Sequence, residues 1–151
     1  MTSADPAELD GLGIFQGFAY PDLERLSRYL EPLQVEQNAI LFNEGEPGQD
    51  MLILLEGRIA ISKRGDRGEH LLSYAGRGKI VGDMALLDRE PRSATCRAET
   101  DCRLLRLSQD ALNQMASQDP PLAFRFVRAL ARLLSRRLRR TSGVLTEQVV
   151  G

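Results

Sequence analysis

The sequence predicts one mainly β domain, a sandwich or barrel, flanked by helices at both ends. Between about residues 33 and 107, short runs rich in Val, Ile and Leu recur at roughly the spacing of strands in such folds. Gly-rich turn signals separate these runs, and eight of the 13 glycines fall between Gly45 and Gly82. Before and after this region, apolar residues recur every three or four positions, as in amphipathic helices.

The N-terminal part predicts a flexible segment and then one helix. Residues 1–11 are polar and acidic, which is unlike a secretory leader, and we expect them to be flexible. A helix is predicted over 21–31, because Pro21 suits a first helical turn and Pro32 ends the run. Its apolar stripe consists of Leu23, Leu26 and Leu30.

Seven apolar runs predict the strands of the β region. In chain order they are AILF, MLILLEG, RIAISK, HLLSY, KIVG, SATCRAE and CRLLRLS. The sequence RGDRG, residues 64–68, lies between two of them and predicts a hairpin tip rather than an adhesion motif. Strands that follow each other without intervening helices favour antiparallel pairing over βαβ units.

Two helices are predicted after the last strand. Ser108 can cap a short helix over DALNQMAS, and Asp119 followed by Pro120 marks a second start, for a helix over 121–142. The apolar stripe of the second helix consists of Ala123, Phe126, Val127, Leu130, Leu134 and Leu138, widened by Leu133. Its opposite face holds Arg125, Arg128, Arg132, Arg136 and Arg139. The predicted domain therefore spans 12–142, with a β region over 33–107, helices over 108–142 and a tail over 143–151.

Bulk composition excludes several classes of function. The 151 residues carry a formal net charge of −1, so the molecule as a whole is not a polyanion binder. A single histidine and two unclustered cysteines, Cys96 and Cys102, argue against a metal site and against histidine-based catalysis. No apolar run approaches the roughly 20 residues that span a bilayer. We expect a cytoplasmic protein with free thiols that is not an enzyme.

The stretch VGDMALLDREPRSAT, residues 81–95, combines groups that suit a phosphate and a neighbouring hydroxyl. Arg92 presents a planar fork of donors for two phosphate or carboxylate oxygens, and Ser93 adds a hydroxyl. Asp83 offers an acceptor for a hydroxyl such as a ribose 2′-OH. A helical turn from residue 83 would present free N–H groups to an anion, and Gly82 permits close approach of the backbone.

This stretch resembles the phosphate-binding cassette of cyclic nucleotide-binding domains. The cassette has the form Gly-Glu-x-Ala-Leu, a variable stretch, and then Arg followed by a small residue and Ala. NEGEPGQDMLILLEGRIAI resembles the paired strands of the same family around a Gly-rich turn, with Gly45, Gly48 and Gly57 in the expected places. The resemblance covers roughly residues 12–142. It implies an antiparallel β-roll or jelly roll with an N-terminal helix and C-terminal helices.

The resemblance also implies roles for individual residues. Arg92 would pair with the exocyclic oxygens of the cyclic phosphate, and Ser93 would contact the same phosphate. Ala85, with the N–H groups of Asp83 and Met84, would line the short helix of the cassette. Gly82 and Asp83 would meet the ribose 2′-OH. Asp83 stands where the family has the longer Glu, which affects the affinity more than the fold. As alternatives, Asp83 is an ordinary helix N-cap and Ser93 faces solvent on a strand.

The C-terminal run RRLRRTS closely resembles the long helix of bacterial catabolite activator proteins. In those proteins a Thr-Ser pair contacts the adenine base, one residue from each subunit, and the helix dimerises. The resemblance therefore places Thr141 and Ser142 at the base and implies a homodimer. A frayed helix end before Gly143 is the alternative. After residue 142 nine residues remain, too few for a helix-turn-helix, so direct DNA binding is not expected.

We therefore expect a sensor domain. Its ligand would be cAMP, or second to it cGMP, and binding would shift the C-terminal helix and signal to an effector or partner. One alternative is a ligand-free module for dimerisation or docking, with Asp83 marking a degraded pocket. Another is nucleic-acid binding by the arginine face. That face is otherwise a solvated surface, or a docking surface for an acidic partner or a membrane.

Overall fold

A computed structural model describes the backbone of residues 3–150 and the side chains of residues 3–143. Within these residues, eight strands form two antiparallel four-stranded sheets, with strand orders β1-β8-β3-β6 and β2-β7-β4-β5. The strands are β1 (Glu31–Val35), β2 (Ile40–Phe42), β3 (Asp50–Glu56), β4 (Ile59–Gly65), β5 (Gly68–Ala75), β6 (Ile80–Val81), β7 (Thr95–Ala98) and β8 (Cys102–Ser108). The predicted β-roll flanked by helices is confirmed.

Helices lie at both ends of the β-roll and within it. They are α1 (Pro6–Leu9), a 3₁₀ turn (Gly13–Phe15), α2 (Tyr20–Ser27), α3 (Asp83–Asp88), α4 (Gln109–Gln118) and α5 (Pro120–Val150). Both predicted C-terminal starts are present. The Ser108 hydroxyl accepts the N–H of Ala111 at 3.0 Å, and α5 begins at Pro120 after Asp119.

Strand β3 divides the interior into two cores because its side chains alternate between faces. Met51 and Ile53 pack with the helices, against residues such as Leu26 and Phe126. Leu52 and Leu54 face the second sheet and pack with a cluster formed by Phe42, Ile59, Cys96, Ala98 and Leu104. Burial on both faces explains why this strand reads as a continuous apolar run.

The N-terminal segment differs from the expected flexible residues 1–11. Asp5 accepts the N–H of Ala7 at 2.9 Å and starts α1, in which Leu9 is completely buried. The N–H of Ala4 also donates to the carbonyl oxygen of Ser27 at 3.2 Å. One helical turn is too short to show a period in the sequence. Residues 1 and 2 lie outside the described part of the chain.

The first predicted helix is shorter than expected, and an additional strand follows it. Helix α2 ends at Ser27 rather than near residue 31, and β1 starts at Glu31, where the sequence suggested a start near residue 33. Pro32 lies within β1, which is an edge strand of its sheet. An edge strand accommodates a proline because its outer N–H groups need no ladder partner.

Helix α5 extends beyond the predicted end at 142, and its backbone is helical as far as Val150. The predicted apolar stripe is divided between two surfaces. Ala123, Phe126 and Leu130 are buried against the domain, whereas Val127 and Leu138 are exposed. The part of the predicted tail that the structure describes, residues 143–150, is thus a continuation of α5; residue 151 lies outside it.

Candidate functional site

A cavity of about 630 Å³ lies between the second sheet, α3 and α5. Its volume falls within the range of small-molecule sites. Side chains of the second sheet such as Phe42 and Ile61 form its apolar wall, and Arg137 and Arg140 of α5 lie at the opposite side. The cassette residues that line the cavity are Gly82, Asp83, Met84, Ala85, Arg92 and Ser93. The fold therefore brings both ends of the cassette to one cavity.

Two glycines allow the backbone to approach Arg92 closely. Gly82 has a φ of 80°, in the left-handed region, and a Cβ at this position would collide with Arg92 Nη1. A Cβ on Gly48 would lie 2.6 Å from Arg92 Nε and 2.7 Å from the Cβ of Ala85. A side chain at either position would displace Arg92, so both glycines determine where its guanidinium lies.

Helix α3 presents free backbone donors to the cavity. Gly82 is its N-cap residue, and the first helical hydrogen bond runs from the N–H of Leu86 to the carbonyl oxygen of Gly82 at 3.3 Å. The N–H groups of Asp83, Met84 and Ala85 consequently have no acceptor within the helix. Asp83 is the first helical residue rather than the N-cap, so its carboxylate is available for other contacts.

The guanidinium of Arg92 is buried at the centre of the cassette, with 7% of the residue exposed. Its Nη1 donates to the carbonyl oxygen of Asp50 at 2.8 Å, and its Nη2 pairs with the Asp50 carboxylate. The Cζ atom lies 4.1 Å from the centroid of the Phe42 ring, a cation–π contact. Among the described residues, Nε has no hydrogen-bond partner. A buried donor without a partner costs stability, so this group favours a bound acceptor.

The Asp50 carboxylate pairs with two arginines, Arg92 and Arg106. Its second carboxylate oxygen accepts a hydrogen bond from Arg106 Nε at 2.6 Å, and Arg106 in turn lies 3.2 Å from Glu31. The hydrogen bond to Asp50 raises the pKa of Arg106 above its ordinary value. A row of alternating charges thus joins β1, β8 and β3 to Arg92 and holds its guanidinium in place.

Asp83 connects the cassette to α5. The residue is 3% exposed, and Arg137 Nη1 donates to its two carboxylate oxygens at 3.0 and 3.3 Å. Arg137 Nη2 also donates to the carbonyl oxygen of Ile80 at 3.3 Å. This ion pair holds the central part of α5 against the mouth of the cavity.

Cys96 also lines the cavity but is chemically inert. Burial raises the pKa of its thiol to about 12, although the nearby Arg92 opposes this shift. The thiol therefore stays neutral at physiological pH and offers no thiolate for catalysis or oxidation. Cys96 and Cys102 are both free thiols and both buried.

The two predicted base-contact residues lie outside the cavity of a single chain. The Thr141 hydroxyl donates to the carbonyl oxygen of Arg137 at 3.1 Å, and the described cavity lining on α5 consists of Arg137 and Arg140. Ser142 follows one residue later and does not line the cavity either. Contact of these residues with a base stays a prediction.

Sequence reasoning missed Arg137 and Asp50. The spacing of Arg137 would have revealed it, because it follows the buried Leu130 by seven residues and the partly buried Leu133 by four, on the same face of α5. Asp50 gave no comparable signal, since its pairing with Arg92 spans 42 residues of sequence. Within the described residues, no cluster of His, Cys, Asp or Glu could hold a metal, and no helix could cross a bilayer.

Comparison with known sequences identifies similar proteins. Residues 32–119 match the family described as cyclic nucleotide-binding domain. The chain is 31% identical over 138 residues to a CRP-like cAMP-activated global transcriptional regulator of Mycobacterium tuberculosis, covering 91% of this chain and 60% of that protein. It is 32% identical over 110 residues to a cyclic nucleotide-gated potassium channel of Rhizobium etli, covering 73% of this chain and 30% of the channel. The chain thus spans less than two thirds of these relatives.

Solved structures show the same architecture. A cyclic nucleotide-binding domain from Methylobacillus flagellatus superposes with a TM-score of 0.86 at 28% identity, covering 98% of this chain and 87% of that chain. The Thermus thermophilus catabolite activator protein gives 0.78 at 29% identity, covering 88% and 61%. The regulatory domain of Toxoplasma gondii PKA, crystallised with cAMP, gives 0.64 at 28% identity, covering 72% and 42%.

Proposed function

The chain belongs to the family of cyclic nucleotide-binding domains, and we propose that its cassette cavity binds cAMP and passes the ligand state through α5 to a partner or attached effector. This family consists of regulatory ligand-binding domains rather than enzymes. The proposal therefore assigns the chain no catalytic step. It places the chain in the cytoplasm and requires no DNA contact from residues 3–150.

The observation that carries the proposal is the buried Arg92 at the end of the cassette cavity. Its guanidinium retains an unpartnered Nε, and the backbone donors of Asp83, Met84 and Ala85 lie at the same cavity. Charge-assisted hydrogen bonds from arginine and backbone N–H groups to phosphate are among the stronger polar contacts in proteins. The exocyclic oxygens of a cyclic phosphate would bind here, with the Ser93 hydroxyl as a further donor.

The ribose would lie next to Asp83. Its carboxylate is acceptor-only when ionised and would accept the 2′-hydroxyl hydrogen. Because Arg137 already holds this carboxylate, its position is fixed before the ligand arrives. A shorter acid held in place would retain the ribose contact, directly or through a bridging water.

Helix α5 would supply the contact to the base and the output. We take cAMP as the first candidate ligand because the M. tuberculosis relative is described as a cAMP-activated regulator, and cGMP as the second. Phe124, Val127 and Leu138 are exposed apolar residues on α5, which supports a homodimer through this helix. In such a dimer Thr141 of one chain and Ser142 of the other would approach the base.

Isothermal titration calorimetry with cAMP and cGMP tests this proposal. We expect a dissociation constant of about micromolar for cAMP, and a loss of at least about 100-fold for Arg92→Ala, since two charge-assisted contacts disappear. Arg64→Ala is the matched control, because Arg64 is an exposed arginine at the hairpin tip, and this variant should bind like the wild type. Absence of heat and of a thermal shift with either nucleotide would refute the proposal.

A ligand-free docking module is the second candidate. It is favoured by the ion pairs that already occupy the two charged groups of the site, Arg92 with Asp50 and Asp83 with Arg137. In this case neither nucleotide binds, yet the protein dimerises normally. Sedimentation analysis beside the calorimetric titration separates the two candidates.

A further inference from the structure

A second concavity runs along α5 next to the cassette cavity, and the two share Lys79, Ile80, Arg137 and Arg140 at their boundary. Two adjoining depressions of about 650 and 350 Å³ share Gly13, Ile14, Ala129 and Arg136 in their linings. Together they form one groove between α5 on one side and the 3₁₀ turn, with residues 16–19 and the turn at 77–79, on the other. We call this continuous depression the α5 groove.

The α5 groove is strongly basic. Seven basic side chains line it: Arg77, Lys79, Arg125, Arg128, Arg132, Arg136 and Arg140, besides Arg137, which pairs with Asp83. Asp22 is the acid among the described lining residues, and it already lies 2.8 Å from both Arg125 and Arg25. Within residues 3–143, Arg128, Arg132 and Arg136 form no ion pair. Among the described residues, most of the positive charge of the groove is therefore uncompensated, although the whole chain has a net charge of −1.

The spacing of the arginines defines the length of the groove. From Arg125 to Arg140 they recur every three or four residues, which places them along one side of the helix. Arg125 and Arg140 are 15 positions apart, which corresponds to about 22 Å of α-helix. Apolar residues, including Ile14, Phe18 and Ala129, lie between them on the floor of the groove, together with Gln16. A basic rim above an apolar floor matches a partner that carries acidic and apolar residues on one elongated surface.

We propose that the α5 groove docks an acidic amphipathic helix of a partner protein. Such a helix would lay its apolar stripe on the floor and pair its carboxylates with Arg128, Arg132 and Arg136. A membrane surface fits less well because the arginines line a concave groove. A single nucleic-acid strand fits less well because Phe18 is the one aromatic among the described lining residues, and single strands rely on several stacking platforms. The proposal does not depend on nucleotide binding.

Fluorescence anisotropy with a designed peptide tests this inference. The probe is a labelled helical peptide of about 16 residues, long enough to span the groove, with a leucine stripe flanked by glutamates. Wild-type protein should bind it, and the affinity should fall as salt is added. The variant Arg128→Glu/Arg132→Glu should bind at least about tenfold more weakly, because charge reversal at an interface opposes association. The matched control, Arg64→Glu/Arg67→Glu, changes the same charge at the hairpin tip and should bind normally.

Three results would overturn the inference. The first is that the acidic peptide fails to bind. The second is that the groove variant binds the peptide like the wild type, and the third is that a glutamine version of the peptide binds equally well. Tighter binding of oligo-dT or of phosphatidylserine vesicles than of the peptide would assign the groove to a different partner and also overturn it. Thermal melting establishes that the groove variant folds; if it does not, Arg128→Gln/Arg132→Gln replaces it. Calorimetry with cAMP is recorded in parallel, so failure at the cassette is distinguished from failure at the groove.

Discussion

Arg92 is held by contacts within the protein itself. Asp50 holds one edge of the guanidinium, Phe42 packs against its face, and the backbone at Gly82 lies close to Nη1. Because the side chain is already ordered, little conformational entropy would be lost when a ligand binds. A bound phosphate would, however, compete with Asp50 for the guanidinium. A cyclic phosphate gains only the difference between its own contacts with Arg92 and those that Asp50 already makes. The affinity of the site therefore depends on Asp50 as well as on the cassette.

Gly82→Ala should damage both stability and binding. A Cβ at this left-handed position would collide with Arg92 Nη1 and lie 3.1 Å from the carbonyl oxygen of Asp50. We expect a loss of at least about 1–3 kcal/mol in the free energy of unfolding, measured by urea denaturation, from the backbone strain alone. Gly76→Ala is the matched control, because a Cβ there meets nothing within 4 Å. Equal stability of the two variants would show that neither the left-handed backbone nor the close approach at Gly82 matters for stability.

At the scale of elements, α5 is connected to the rest of the protein by two kinds of contact. Phe126 and Leu130 pack it into the helical core, whereas farther along the helix Arg137 ties it to Asp83 on α3. A ligand that contacts Asp83 therefore acts at the point where the cassette holds α5. Under the proposed function, the ligand would shift α5 only by contacting Asp83 better in one position of the helix than in another.

Arg137→Ala should loosen the C-terminal part of α5. Loss of the guanidinium leaves the buried Asp83 carboxylate without this partner, at a cost of about 1–3 kcal/mol. Hydrogen–deuterium exchange should accelerate from about residue 133 onward and stay unchanged in α4. Arg139→Ala removes an exposed arginine two residues away and should leave the exchange unaltered. Unchanged exchange in Arg137→Ala would mean that the ion pair does not hold the helix.

Asp119 lies at the junction of α4 and α5 and forms an ion pair with Arg25 of α2. A hydrogen bond from Arg25, 2.8 Å away, lowers the pKa of the Asp119 carboxyl. Because the pKa of Asp119 is lower in the folded than in the unfolded protein, its ionised carboxylate stabilises the fold. This stabilisation is complete above the unfolded pKa of about 4 and is lost as the pH falls through the folded pKa. Asp119→Asn should thus destabilise the protein at neutral pH and make little difference in strong acid. Urea unfolding across this range measures the effect.

Asp66→Asn is the control for this pH series, because Asp66 lies at the exposed hairpin tip. Its stability should follow the wild type at every pH. A constant difference between Asp119→Asn and wild type from neutral to acidic pH would contradict the role assigned to the ionised carboxylate.

Elements with a local signal could be predicted from the sequence, and those without one could not. The run MLILLEG and the capping residue Ser108 indicated β3 and α4 directly. Strand β1 was missed because EPLQV contains a proline and forms only through long-range pairing with β8. Helix α1 was missed because it consists of four residues stabilised by Asp5 and by the burial of Leu9.

At the scale of the whole molecule, α5 presents a second apolar surface that the domain leaves uncovered. Phe124, Val127 and Leu138 are 65%, 40% and 68% exposed. With Ala131 and Leu134 they alternate at spacings of three and four, the pattern of a two-stranded coiled coil. If the chain forms the proposed homodimer, this exposed stripe is the surface through which a second copy would pack.

Leu138→Glu should therefore convert a dimer into a monomer. Charged residues at such a seam repel each other across the interface and remain unpaired. Sedimentation velocity at a series of concentrations measures the change. Leu72→Glu is the matched control, since Leu72 is 58% exposed on β5, away from α5. A monomeric wild type, or an equally dimeric Leu138→Glu, would exclude this interface.

The residues of the candidate site that lie together in the sequence could be predicted, whereas the residues that only the fold brings to the site could not. Gly82, Asp83, Ala85 and Arg92 lie within one short stretch whose chemistry suits a phosphate and a hydroxyl. Their partners Asp50 and Arg137 come from β3 and α5, 42 and 54 residues away in sequence. Only the folded chain shows that both charged groups of the cassette are already paired.

Backbone amide chemical shifts, followed in ¹H–¹⁵N spectra during titration with cAMP, show directly where a cyclic nucleotide binds. The largest changes should fall at residues 82–86 and 92–94, with further changes on α5 near Arg137. Adenosine, which lacks the phosphate, should leave Arg92 and Ser93 nearly unchanged. If cAMP shifts no cassette amide, or shifts only amides elsewhere, the cassette is not a nucleotide site in this protein.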